Sequence, residues 1–73
     1  MNLPSNLTTT AEIAAFLNRF PLVEVRIDAD DIAFAFVGEH RVNMTPRMVG
    51  YAVRDGMLKL LRQTSAVRVY VKA

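Results

Sequence analysis

The hydrophobic positions change their period along the chain, and each change marks an element. After Thr8-Thr9-Thr10-Ala11-Glu12, the residues Ile13, Phe16, Leu17 and Phe20 recur at the i, i+3, i+4, i+7 spacing of one helical face. Thr9 with Glu12 three residues on predicts a capping box at its start, and Pro21 ends the helix. Residues 22–28 then alternate, with Val23, Val25 and Ile27 on one side and Glu24, Arg26 and Asp28 on the other, which predicts a half-buried strand. Asp28-Ala29-Asp30-Asp31 reads as a tight turn. Residues 32–37, Ile-Ala-Phe-Ala-Phe-Val, form the most apolar run and suit a strand at the centre of a sheet.

Gly38-Glu39 makes a second turn, and residues 40–44 alternate weakly, predicting a short third strand with Val42 and Met44 on one side. Thr45-Pro46 starts a second helix, with Thr45 as cap and Pro46 where its missing N–H costs nothing. This helix is expected to reach Arg62 or Gln63, with Val49, Val53, Met57, Leu60 and Leu61 as its core stripe and Asp55 and Lys59 paired on the far side. Gly50 and Gly56 each weaken an isolated helix by about 1 kcal/mol, so a close packing contact is expected at both. After the connector Gln63-Thr64-Ser65, residues 66–72 form a last strand, with Val67, Val69 and Val71 inward and Arg68, Tyr70 and Lys72 outward. The predicted fold is a single α+β domain, a two-layer sandwich in the order α-β-β-(β)-α-β. A mostly antiparallel sheet of three or four strands carries two helices on one face.

Composition adds a charge asymmetry. Residues 1–40 hold two basic against six acidic side chains, a net of −4, whereas residues 41–73 hold seven against one, a net of +6. Such polarity suits an acidic partner, head-to-tail pairing of two copies, or simple neutralisation across the folded surface. With 73 residues and no cysteine, packing alone must hold the chain, and self-association as a homodimer is expected to supplement its core. No signal-peptide pattern or apolar run of membrane-spanning length appears, so a soluble cytoplasmic protein without membrane contact is expected.

The residues offer little for catalysis. Nucleophilic chemistry needs a base within reach of a hydroxyl or thiol, and the chain has one histidine, His40, beside a turn. Asp28, Asp30 and Asp31 lack the glycine and distal glutamate of a calcium loop, and no phosphate-binding loop or zinc spacing occurs. No enzyme activity, cofactor or metal is expected. A protein interface is suggested instead by Tyr51, Arg54, Leu58 and Arg62, which lie off the core stripe of the extended second helix and have the composition of interface centres. The first expectation is therefore a small binding module of inhibitor or adaptor type, acting on a protein partner. Phage and mobile-element proteins of this kind share its size and plainness.

A second expectation comes from a family resemblance. Ala33-Phe34-Ala35-Phe36-Val37 resembles the middle of the octapeptide on the third strand of RNA-recognition-motif (RRM) domains. Asn2-Leu3-Pro4 resembles the run after that family's first strand, and Val23-Glu24-Val25-Arg26-Ile27 its second strand. The resemblance covers roughly residues 2–37 and lacks the family's first strand; Ile32, Ala33 and Glu39 depart from its pattern. It implies single-stranded nucleic-acid binding across an open sheet, with Phe34 and Phe36 as stacking platforms and Arg26, Arg41, Arg68, Tyr70 and Lys72 around them. The packing needs of a small domain place the same two rings inward, in the core.

Overall fold

A computed structural model of the chain describes residues 2–73. The elements are α1 (Thr10–Arg19), β1 (Glu24–Asp28), β2 (Ala33–Val37), β3 (His40–Met44), α2 (Pro46–Arg54), β4 (Leu58–Gln63) and β5 (Val67–Lys72). The strands form one antiparallel sheet in the order β3-β2-β1-β5-β4. Both helices lie on one face of it. Ile13, Phe16 and Leu17 of α1 and Val49 and Ala52 of α2 share one buried cluster with Val25, Ile27, Ala33, Ala35, Val42, Met44, Leu58 and Tyr70 of the sheet. The two-layer α+β fold is that expected, with five strands rather than three or four.

The starts of both helices follow local chemistry. The Thr9 hydroxyl accepts from the Glu12 N–H, and the Glu12 carboxylate accepts from the backbone N–H groups of Thr8 and Thr9. The Thr8 hydroxyl also donates to that carboxylate, and these bonds, led by it, hold the Glu12 pKa below its ordinary value. Because the folded-state pKa is lowered, the cap's contribution is complete above the ordinary glutamate range and is lost as pH falls through and below it. At α2 the Thr45 hydroxyl accepts from the Met48 N–H, with Pro46 in the first turn. The turn before β2 is tied by Asp28, whose carboxylate accepts from the Asp30 and Ile32 N–H groups while Asp31 takes φ 63°.

The second helix is much shorter than its apolar stripe suggested. It stops at Arg54 because Gly56, at φ 77°, turns left-handed and closes a Schellman motif. The Gly56 N–H donates to Val53 O, and the Met57 N–H to Ala52 O at 2.8 Å. Residues 58–63 then form β4 instead of helix. Val53, Leu60 and Leu61, expected in the core, are exposed, and Leu58, expected on an exposed helical face, is 2% exposed within the core. The Asp55–Lys59 pair is not made; Asp55 ends α2 and bonds to Arg54 at 3.1 Å. The close contacts expected at Gly50 and Gly56 are absent, since a Cβ at either would meet nothing within 4 Å; Gly56 serves through its left-handed φ instead.

The last strand is also turned over relative to expectation. Tyr70 pairs with Val25 and so faces the helices, where it is buried, with Arg68 and Lys72 on the same side. Val67, Val69 and Val71 face away. The turn into this strand is held by Thr64, whose hydroxyl accepts from the N–H groups of Ala66 and Val67.

Candidate functional site

No helix covers the other face of the sheet, and the register fixes what it presents. One row across the strands runs Arg41, Phe36, Glu24, Val71, Lys59, and the next runs Asn43, Phe34, Arg26, Val69, Arg62. Phe34 and Phe36 therefore stand on the open face, half-buried, and not in the core. Their neighbours Ala33 and Ala35 point to the helices instead, Ala35 at 0% exposure. Small side chains there let the helices approach the sheet closely, and the rings are left for the outside.

The two rings meet edge to face, with centroids 6.1 Å apart. Each lies under an arginine that crosses to it diagonally. Arg26 is paired with Phe34 but lies over Phe36, at 4.5 Å from the centroid; Arg41 is paired with Phe36 but lies over Phe34, at 4.8 Å. Diagonal neighbours on a strand pair are within reach of long side chains, and each such stack contributes about 0.5–1 kcal/mol at an exposed site. The Arg26 guanidinium also donates twice to one Glu24 oxygen, at 2.8 and 3.1 Å. Arg26 is thus oriented by a carboxylate on one side and a ring on the other. Val69, beside Arg26 in the row, is 1% exposed although it lies outside the helix-side core. The stems of its register neighbours Arg26 and Arg62 are placed to shield it.

Four of the seven residues named for a nucleic-acid surface come together here: Arg26, Phe34, Phe36 and Arg41. Arg68, Tyr70 and Lys72 do not, since the inverted facing of β5 puts them on the helix side. The protein-interface set is broken up. Tyr51 and Arg54 remain together on α2, with the Arg54 guanidinium 4.9 Å from the ring, but Leu58 is buried and Arg62 stands on the open sheet face. Lys59 and Arg62 were missed as members of this face because the sequence placed them on a helix. The available signal was Gly56 followed by apolar Met57, the pattern of a helix end.

Elsewhere the chemistry is sparse. A groove of about 430 Å³ between residues 2–7 and α1 is lined mainly by Leu3, Pro4, Leu7, Ala15 and Phe16. Its acid, Glu12, is already occupied by Thr8 and Thr9. Among the described residues no three His, Asp or Glu side chains converge on a point that could hold a metal ion. Among the described residues no helix is long and apolar enough to cross a membrane. No protein-family model matches the chain, and neither does any curated protein or solved structure.

Proposed function

We propose that the open face of the sheet binds single-stranded nucleic acid, without catalysis. The observation that carries this reading is the pair Phe34 and Phe36, side by side on a face no helix covers, each beneath an arginine. Bases stack on aromatic rings and on guanidinium planes without regard to sequence, each stack contributing about 1–3 kcal/mol, while arginines also neutralise phosphates. The element order α-β-β-β-α-β-β differs from the β-α-β-β-α-β order of RRM domains. What supports the reading is accordingly the surface, not the order of elements.

Titration of labelled single-stranded RNA and DNA at about 50 and 200 mM salt tests it. Binding that weakens steeply with salt and is lost in Phe34→Ala/Phe36→Ala, with the circular dichroism unchanged, is expected. An absence of binding at low salt would remove the proposal.

A second reading, capture of a protein partner, is favoured by Tyr51, Val53, Leu60 and Leu61, all exposed on α2 and on the outer strand β4. Leu61→Asp would then abolish partner capture or self-association and leave nucleic-acid titrations unaltered.

A further inference from the structure

The outer strand β4 contains an irregularity with a chemical consequence. Leu60 pairs with Tyr70 and Arg62 with Val69, so Leu61 is an extra residue without a partner on β5. Unbroken alternation from Lys59 would carry Leu61 to the open face and turn Arg62 toward the helices. The bulge reverses this, as bulges that re-aim a side chain do. Arg62 joins the row of Phe34 and Arg26, and Lys59 ends the row of Phe36 and Glu24.

Two cations therefore stand at the β4 margin of the open face. Among the described residues the ion pairs are Arg26–Glu24 and Arg54–Asp55, so neither Lys59 nor Arg62 is neutralised by a salt bridge. Between them and the rings lie first the Glu24–Arg26 ion pair of β1 and then Val69 and Val71 of β5, which present no charge. Three strand spacings of about 4.8 Å separate β2 from β4, so the backbones that carry the rings and the cations lie about 14 Å apart. At the ~3.4 Å per nucleotide that a strand has within a duplex, that distance is at most about four nucleotides, and fewer for a more extended strand.

We infer that Arg62, with Lys59, is the phosphate anchor of this surface, and that a bound single strand runs across four of the β-strands, from the rings on β2 to the β4 margin. The inference rests on the single-strand reading above and adds to it a direction and an end point.

The test compares wild type, Arg62→Gln, Arg62→Lys and Arg47→Gln by fluorescence anisotropy with labelled oligo-dT and oligo-U over a salt series, each variant first shown to be folded by circular dichroism. Arg47 is an exposed cation on α2, in the other layer. Arg62→Gln is expected to weaken binding and to reduce the slope of log affinity against log salt by about 0.7, the value of one phosphate contact on a single strand. Arg62→Lys should restore most of that slope, and Arg47→Gln should leave it unchanged. Wild-type affinity and slope in Arg62→Gln would overturn the anchor while leaving the stacking face in place. An equal loss in Arg47→Gln would overturn it too, by showing that any cation counts. Failure of the wild type to bind either oligomer would overturn the parent reading and the anchor together, and is seen before any variant is measured.

Discussion

The two faces of strand β2 carry the same kind of residue in opposite sizes. Toward the helices stand Ala33 and Ala35, fully enclosed, and away from them stand Phe34 and Phe36, half-covered by arginines. Hydrophobicity alone would put the rings inside. The space between sheet and helices is instead filled from the flanking elements, by Ile13, Phe16, Leu17, Val25, Ile27, Val42 and Val49. Size decides which apolar side chain goes inward here. The aromatic rings become surface because a tightly seated helical layer has no room for them on its side of β2.

The contrast can be broken from its buried side first. Leu58→Ala, at the β4 end of the core, is expected to cost about 2–5 kcal/mol in urea denaturation. A cost near zero would mean that residues 58–63 do not seat as a strand. Ala35→Leu is expected to cost about 1–3 kcal/mol through overpacking, although it adds hydrophobicity. If it stabilises, the helices stand off the sheet and the size argument fails. Phe36→Ala, on the open face, should cost only about 1 kcal/mol, made up of its guanidinium stack and partial burial. A loss as large as that of Leu58→Ala would make the ring structural and weaken the case for a binding face. The smallest effect has the opposite sign. Gly50→Ala, where a Cβ meets open space within α2, should raise stability by about 0.5–1 kcal/mol by thermal melting.

Features set by short-range chemistry were legible in the sequence. The Thr9–Glu12 box, the Thr45-Pro46 start, the Asp28 turn and the alternation of Val23, Val25 and Ile27 each depend on residues within four positions, and each is present. Facing was not legible. Residues 32–37 contain no polar position, so nothing in their pattern tells one face from the other. On β5 the three valines looked like the inward set, yet pairing with β1 sends Tyr70 inward, and pairing is a tertiary fact. The end of α2 failed for a different reason. Met57, Leu58, Leu60 and Leu61 fit a helical stripe better than a strand, whose alternation the bulge at Leu61 interrupts, and the left-handed Gly56 decided against the helix. The candidate site was half visible: Arg26, Phe34, Phe36 and Arg41 by resemblance, and Lys59 and Arg62 only once β4 was placed.

The ends of the sheet differ as much as its faces. At β3, residues 5–7 lie alongside the outer strand, with the Asn43 N–H donating to Ser5 O and its carbonyl accepting from the Leu7 N–H, both at 2.9 Å. At β4 none of the described residues lies outside, and the strand offers unpaired backbone groups interrupted by a bulge and flanked by Lys59 and Arg62. The two edges are therefore unequally covered. A strand added at β4 meets none of the described chain, but at β3 residues 5–7 already hold the backbone groups of Asn43. Strand addition thus has its less obstructed place at β4, whereas at β3 it must displace the segment that bonds to Asn43.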